Sequence, residues 1–293
     1  MPGKRPMRIG PDFMCIGAEK AGTTWLYDNI RHHPEVWLPP PLYKELHYFD
    51  SHTPNKQLLH IGCPGHGGLL KRYSPLLISP KLETFRWLWR FNHHGNNSMH
   101  WYRSLFTKEG KLCGDITPLY STLDDRGVKY AKMTVGDECK VFIILRDPVS
   151  QAWSSIKMLY RYRNIDIRQE NECEIISELT KPFMALKTDY PRILKTWASN
   201  FQENNFKVFF FDDLIRDKSA FLRDVCFFIG IQDIDWSSPR LNKKSNDDKE
   251  KIAIPPGLNK ALSKLYLPDL EKLSGMIGSH SNTWLKKAKD SVS

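Results

Sequence analysis

The stretch that most constrains the fold lies near the amino terminus. A short apolar run, Phe13–Ile16, is followed by a loop that holds Gly17 and Gly22, and then by a helical pattern that opens with Thr23 and Thr24. Glycines let the backbone approach a ligand closely, and a helix N-terminus directs free N–H groups at an anion. An ordinary strand-to-helix turn also contains glycines, but the added lysine and hydroxyls favour a phosphate-binding loop.

The spacing within this loop indicates which phosphate chemistry it serves. In nucleotide kinases a lysine directly follows the last glycine and reaches the β- and γ-phosphates. Here that position holds Thr23, and the lysine of the loop is Lys20, three residues earlier. The loop is therefore suited to gripping one phosphate-like group and placing an ammonium on a bridging oxygen. It is poorly suited to a triphosphate with its metal.

Apolar runs alternate with helical patterns along the rest of the chain. Lys140–Leu145 is a β-branched, apolar run typical of a buried parallel strand, and Lys207–Phe211 is another. The alternation predicts an α/β fold, a P-loop-like three-layer arrangement with a central parallel sheet flanked by helices. We expect residues 1–293 to form a single domain. Within it, about 51–98 is irregular and is interpreted either as a lid or acceptor-binding insertion or as aromatic core.

Prolines and caps predict several helix boundaries. Asp147 and Pro148 indicate the start of a helix that runs to about Tyr162. The pattern over residues 174–186 predicts one helix, and the last part of the chain predicts two, over about 257–266 and 267–275.

A second anion site is predicted at the end of the apolar run 140–145. Arg146 follows this run directly, and the carboxyl ends of parallel strands share one edge of a sheet, so Arg146 projects where Lys20 projects. With the hydroxyl of Ser154, its guanidinium suits a dianionic monophosphate. The alternative is an ion pair of Arg146 with Asp147 or Asp212. Two separate anion sites without magnesium ligands describe 3′-phosphoadenosine 5′-phosphosulfate.

Composition narrows the classes of partner. The formal net charge of +10 suggests an anionic ligand, but no run of like charges is typical of a nucleic-acid-binding tail. No apolar run reaches the roughly 18 residues of a membrane span, and the amino terminus lacks the apolar region of a signal peptide. The six cysteines show no C-x-x-C spacing and read as reduced thiols, and no zinc motif appears. We expect no metal, no nucleic acid and a cytoplasmic protein, and the oligomeric state stays open.

On these residues the chain resembles the sulfotransferases that use 3′-phosphoadenosine 5′-phosphosulfate. Gly17–Trp25 resembles their 5′-phosphosulfate loop, and Val141–Val149 with Ser154 resembles their 3′-phosphate site. Glu45–Asp50 and Gly114–Tyr120 resemble the branch of heparan sulfate and bacterial carbohydrate sulfotransferases. The resemblance implies sulfuryl transfer to a hydroxyl or amine, with a carbohydrate as first choice of acceptor and 3′,5′-adenosine bisphosphate as product. Eukaryotic relatives of this branch are anchored in the Golgi, so the Golgi lumen is the alternative location if the chain is part of a longer protein.

The resemblance also implies a set of donor-binding residues. The set is Lys20, Ala21, Gly22, Thr23, Thr24, Trp25, Arg146, Ser154, Lys243 and Lys244. In it Lys20 contacts the oxygen that bridges phosphate and sulfate, while Arg146 and Ser154 hold the 3′-phosphate. The two late lysines match a basic loop that closes over the donor. Trp25 is expected either near the adenine or in the core.

The sequence leaves two candidates for the base that deprotonates the acceptor. Glu45 occupies the position of the base in this branch, whereas sulfotransferases of small phenols and alcohols use a histidine, and His47 lies close by. If this piece is a strand, both side chains point the same way. The plainer alternatives are an ion pair of Glu45 with Lys44 and a structural role for His47. The branch often has a lysine where Ile116 stands, and Lys44 is the candidate to replace it.

Two other functions are weighed against the sulfotransferase. The first is a P-loop kinase of a small molecule, which Thr23 in the lysine position opposes. The second is a non-catalytic protein that binds anionic glycans in the same basic cleft.

Overall fold

The computed structural model describes residues 10–52, 82–93, 98–106, 110–236, 241 and 252–293. Five parallel strands form one sheet in the order β2-β3-β1-β4-β5. They are β1 (Phe13–Cys15), β2 (Val36–Trp37), β3 (Leu112–Ile116), β4 (Lys140–Leu145) and β5 (Phe206–Phe210). Helices flank this sheet, so the predicted α/β fold with a central parallel sheet is confirmed.

The helices occupy the connections between strands and the carboxy-terminal part of the chain. They are α1 (Thr23–Ile30), α2 (Leu82–His93), α3 (Met99–Ser104), α4 (Asp125–Val135), α5 (Pro148–Tyr162), α6 (Glu172–Leu179), α7 (Pro182–Leu186), α8 (Tyr190–Ala198), α9 (Phe211–Arg216), α10 (Lys218–Ile229), α11 (Pro256–Ile277) and α12 (His280–Val292). Short 3₁₀ helices lie at Pro41–Tyr43, Asp50–His52, Pro118–Thr122, Ile167–Gln169 and Glu203–Asn205. Among the described residues, none of the helices combines the length and apolar character needed to cross a bilayer.

The centre of the sheet is β1, which pairs with β3 on one side and β4 on the other. All of β1 and residues 141–145 of β4 are fully buried, as expected for strands covered on both faces. Gly114 of β3 faces the ring of Phe13, and a Cβ there would lie 2.2 Å from the ring. The close approach therefore requires glycine. Because β1 pairs in parallel with both neighbours, the carboxyl ends of β3, β1 and β4 lie side by side at one edge of the sheet.

The structure differs from the sequence prediction at two prolines. The helix predicted over residues 174–186 is interrupted, because α7 begins afresh with Pro182 after α6 ends at Leu179. Conversely, the predicted break between residues 266 and 267 is wrong, since α11 continues through Pro268. Tertiary packing of α11 against α12 outweighs the backbone hydrogen bond that Pro268 removes. The start of α5 at Pro148, with Asp147 as its cap, is confirmed.

Two predicted features fall on parts of the chain outside the described residues. They are Lys243 and Lys244, and most of the stretch 51–98. Of that stretch, α2 is described, and its Trp87 is buried and stacks on the ring of Phe91 at 5.1 Å. At least this aromatic pair belongs to the core. The acceptor-binding role of the stretch and the single domain over residues 1–293 stay predictions.

Candidate active site

The phosphate loop connects β1 to α1. Gly22 precedes the helix with a φ of 87°, a left-handed conformation that glycine adopts without strain. In the described part of the chain no side chain caps this helix end. The first N–H groups of α1 therefore have no carbonyl partner within the helix. Together with the helix dipole, they make this end of α1 a suitable anion site.

The residue in the lysine position of a kinase loop is turned into the protein. Thr23 is only 4% exposed, whereas Thr24 and Lys20 are half-buried. A lysine at position 23 would therefore have to occupy a buried position. The geometry agrees with the spacing in opposing a triphosphate site.

Arg146 stands at the end of β4, beside the phosphate loop. Its Nη1 donates to the carbonyl oxygen of Lys20 at 2.8 Å, and its guanidinium lies 4.7 Å from the ring centre of Phe211. The ammonium of Lys20 lies 3.8 Å from Sδ of Met158 on α5, the helix that also carries the half-buried Ser154. The structure therefore brings the predicted lysine, the predicted arginine and α5 together at one edge of the sheet.

The carboxylates named as alternative partners of this arginine have contacts elsewhere. Asp147 accepts hydrogen bonds from the N–H of Val149 at 3.3 Å and the hydroxyl of Ser150 at 2.6 Å. Asp212 accepts the indole N–H of Trp284 at 3.3 Å. Asp147 thus caps the start of α5, and Asp212 links α9 to α12.

A largely buried ion pair links Glu19 of the phosphate loop to Lys187. Nζ of Lys187, between α7 and α8, lies 2.6 Å from Oε2 of Glu19, and the two side chains are 6% and 17% exposed. The side-chain amide of Gln151 donates to the Glu19 carbonyl at 3.1 Å. Loss of one partner would leave the other charge buried without a counter-charge, which is destabilising. Neither Glu19 nor Lys187 carried a sequence signal for this contact.

Two tryptophans hold the backbone on either side of residues 242–251. Trp25 is 6% exposed, packs against Phe221, and donates its indole N–H to the carbonyl of Leu241 at 3.2 Å. Trp153 of α5 donates in the same way to Ile252 at 3.0 Å. Of the two alternatives for Trp25, the structure gives the core position, and its contact with an adenine stays a prediction.

A buried thiol lies beneath the phosphate loop. Cys15, the last residue of β1, directs its Sγ at the carbonyl of Gly17 at 3.6 Å. Burial raises the pKa of the Cys15 thiol to about 12, so the thiolate is not formed at neutral pH. The cysteines of the described residues are free thiols, in line with the sequence, and Cys173 is the exposed one among them.

The candidate base lies on a loop and not on a strand. After the 3₁₀ helix at Pro41–Tyr43 the backbone is irregular, and His47 has a left-handed φ of 52°. The side chains nevertheless converge. Nζ of Lys44 lies 2.6 Å from Oε1 of Glu45, and Nε2 of His47 lies 3.5 Å from Oε2. Nδ1 of His47 lies 2.7 Å from the carboxylate of the buried Asp50.

These contacts set the charges of the two candidate bases. Burial raises the pKa of Glu45, but the Lys44 ammonium and His47 outweigh it and lower that pKa to about 2. Burial lowers the pKa of His47, but hydrogen bonds to Asp50 and Glu45 raise it well above its usual range. At neutral pH Glu45 is therefore an anion and His47 a cation. Lys44 is 2% exposed and holds the anion, so the plainer ion-pair role is present.

Comparison with known proteins identifies the family. Residues 10–257 match the sulfotransferase domain family. The chain belongs to this family. It is similar in fold to the crystal structure of a sulfotransferase from Alicyclobacillus acidocaldarius, with 20% identity, a TM-score of 0.63, and coverage of 94% of this chain and 98% of the other. It is also similar to the sulfotransferase domain from the curacin biosynthetic pathway, with 15% identity, a TM-score of 0.50, and coverage of 84% and 82%. No curated protein matches the chain.

Next to the candidate base, the sulfotransferase has a buried carboxylate at the end of β3. Asp115 is fully buried and accepts three hydroxyl protons. Oδ1 accepts from Thr117 at 2.7 Å, and Oδ2 accepts from Tyr102 at 2.8 Å and Tyr120 at 2.9 Å. Burial raises the pKa of Asp115 to about 6, and the three hydroxyls limit the rise. The sequence marked this stretch only as part of the resemblance.

Proposed function

We propose that this sulfotransferase takes a sulfuryl group from 3′-phosphoadenosine 5′-phosphosulfate and transfers it to a hydroxyl or amine, with carbohydrates as the acceptor class. The main observation behind this proposal is the 2.8 Å hydrogen bond from Arg146 to the carbonyl of Lys20. This bond supports a single binding site, at the carboxyl edge of the sheet, that contains both the guanidinium of Arg146 and the loop that carries the Lys20 ammonium. A donor with a phosphosulfate at one end and a separate phosphate at the other requires such a pair. The acceptor class rests on the resemblance of Glu45–Asp50 and Gly114–Tyr120.

The donor residues divide into two groups in this proposal. The N–H groups at the start of α1, after Gly22, bind the 5′-phosphate, while Arg146 and Ser154 bind the 3′-phosphate. The donor supplies a sulfur–oxygen bond that can be broken without a metal. Lys20 neutralises the charge that grows on the bridging oxygen as that bond breaks. Ala21, Thr23 and Thr24 belong to the same loop and shape its backbone.

Glu45 acts as the base in this proposal. It takes the proton from the acceptor oxygen or nitrogen while that atom bonds to sulfur, and the electron pair of the broken bond stays on the bridging oxygen beside Lys20. His47 is protonated and therefore has no site for the proton. A carboxylate with a pKa of about 2 is a weak base. The acceptor must then compete with Lys44 for Oε1, which weakens the ion pair as the proton moves.

Calorimetry with three ligands tests the donor. Tight binding of 3′,5′-adenosine bisphosphate without magnesium is expected, and Arg146→Ala should abolish it. Lys129→Ala is the matched control, since that cation on α4 is 66% exposed and pairs with Asp125. Magnesium-dependent binding of ATP alone would establish the kinase instead. Binding of sulfated glycans alone would establish the non-catalytic protein.

An acceptor screen with ³⁵S-labelled donor tests the acceptor class. Label should appear in oligosaccharides or aminosugars, and its rate of transfer should fall by about 10²-fold when Glu45→Gln replaces the wild type. Label confined to phenols or lipid-like alcohols would overturn the carbohydrate proposal while leaving sulfuryl transfer intact.

A further inference from the structure

Thr117 lies where the donor side of the site meets the acceptor side. Its backbone N–H donates to the carbonyl of Cys15 at 3.1 Å, which ties it to β1 and the start of the phosphate loop. Its hydroxyl oxygen accepts the N–H of Leu46 at 3.1 Å and donates its own proton to Asp115 at 2.7 Å. A single fully buried residue thus connects the strand before the phosphate loop to the residue after the candidate base.

Tyr120 repeats this arrangement one turn later. Its hydroxyl accepts the backbone N–H of Tyr48 at 3.2 Å and donates to Asp115 at 2.9 Å. Leu46 and Tyr48 lie on either side of His47. Both N–H groups that flank this histidine are therefore bound by hydroxyls, and both hydroxyls are directed by the same carboxylate.

The carboxylate determines which way these hydroxyls point. A hydroxyl has one proton and can rotate, whereas an ionised carboxylate only accepts. While Asp115 takes the protons of Thr117 and Tyr120, each hydroxyl oxygen keeps a lone pair directed at a loop N–H. In the buried site a broken contact would leave that N–H without a partner, which is costly.

We propose that Asp115 is a positioning residue that acts through Thr117 and Tyr120 to hold Glu45 and His47 at a fixed distance from the phosphate loop. The inference rests on the proposed function, because it gives Glu45 the proton transfer. Asp115 itself does not reach the reacting atoms. Its role is to keep the base in place on a loop that has no strand hydrogen bonds of its own.

Two substitutions at residue 117 form a matched pair. Thr117→Val keeps the shape but removes the oxygen that binds the Leu46 N–H, whereas Thr117→Ser keeps that oxygen. We expect kcat of Thr117→Val to fall by about 10- to 100-fold, with unchanged affinity for 3′,5′-adenosine bisphosphate. Thr117→Ser should stay within about threefold of wild type, because only a methyl group is lost. A valine variant with wild-type kcat would overturn the proposal, as would an equal loss in both variants.

A further variant covers the case in which Thr117→Val does not fold. Tyr120→Phe removes only the oxygen that binds the N–H of Tyr48. It should lower kcat by about tenfold and leave donor affinity unchanged. Thermal unfolding of each variant is followed in parallel. If kcat and donor affinity fall together, the network is a general support of the site, and the positioning role is wrong.

An NMR titration of His47 gives a readout that does not depend on activity. The ring of His47 faces Glu45 and Asp50, with Lys44 on the far side of Glu45, and His47→Gln identifies its signal. Relaxed positioning in Thr117→Val or Asp115→Asn should move the pKa of His47 down towards its ordinary value. An unchanged pKa in both variants would overturn the proposal. If the wild type binds no donor product and transfers no sulfate, the proposed function fails, and this titration still decides the positioning role.

Discussion

The proposed donor and acceptor sides of the site are built by different means. On the donor side, the phosphate loop and Arg146 directly follow β1 and β4, and main-chain hydrogen bonds hold them, such as the bond from the N–H of Ala18 to Ile144 at 2.8 Å. On the acceptor side, Glu45 lies on an irregular loop, and side chains distant in sequence hold it through Leu46. The sheet thus positions the proposed donor side, whereas side-chain hydrogen bonds to a loop position the proposed acceptor side. We expect changes on the donor side to affect binding and changes on the acceptor side to affect turnover.

The largest effect that would test this difference comes from Lys20→Ala. We expect sulfuryl transfer to fall by about 10³-fold, or about 4 kcal/mol, because the charge on the leaving oxygen is no longer neutralised. The measurement is transfer from labelled donor at saturating acceptor, with Lys129→Ala as control. Near-normal turnover in the alanine variant would remove Lys20 from the reaction.

The next effect concerns the support of the donor side. Lys187→Met leaves the Glu19 carboxylate without the ammonium at 2.6 Å, in a place where the two side chains are 6% and 17% exposed. We expect the free energy of unfolding to fall by about 3 kcal/mol, measured by urea denaturation. The double variant with Glu19→Gln should recover most of this loss. A single variant as stable as wild type would show that the pair is dispensable.

On the acceptor side, Glu45→Gln should reduce kcat by about 10²-fold, because the amide cannot take the proton. Its affinity for 3′,5′-adenosine bisphosphate should match wild type, which separates it from the donor-side variants. Steady-state kinetics with calorimetry measure the two quantities. If His47→Ala shows this pattern and Glu45→Gln does not, the base is assigned to the wrong residue.

The smallest effect is the pH dependence of stability at His47. Burial lowers the pKa of His47 in the folded protein, but hydrogen bonds to Asp50 and Glu45 outweigh burial and raise it. The ion pairs of His47 therefore stabilise the fold fully at pH values below the ordinary pKa of histidine. This contribution is lost as the pH rises through the folded pKa. Wild type should exceed His47→Gln by about 1 kcal/mol at acid to neutral pH and converge with it at alkaline pH, as measured by urea denaturation. A difference that grows with pH would contradict the assigned charge.

The same contrast explains what the sequence could predict. β4 was predicted with its observed bounds and the phosphate loop with its flanking strand and helix, because their signals are local: an apolar run, two glycines and a proline at the start of α5. The proximity of Lys20 and Arg146 followed from the rule for parallel strands. The network around Asp115 could not be predicted, since its hydroxyls and the loop N–H groups are far apart in sequence and no periodicity relates them.

Two other failures have a similar cause. A break between two helices was predicted at residues 266 and 267, but α11 continues past this point and through Pro268, because α12 packs along it. The piece with Glu45 and His47 was considered as a strand, and its side chains do converge, yet through a left-handed residue and not through alternation. In both places tertiary contacts outweigh the local preference of the backbone.

The buried thiol of Cys15 provides a built-in probe of the central strand. With no exposed surface and a pKa of about 12, it can meet an alkylating reagent only when β1 leaves the sheet, whereas Cys173 is accessible throughout. The ratio of the two labelling rates would therefore report how often the sheet opens. Because the phosphate loop begins beside this sulfur, a nucleotide bound there should protect Cys15 and leave Cys173 unaffected.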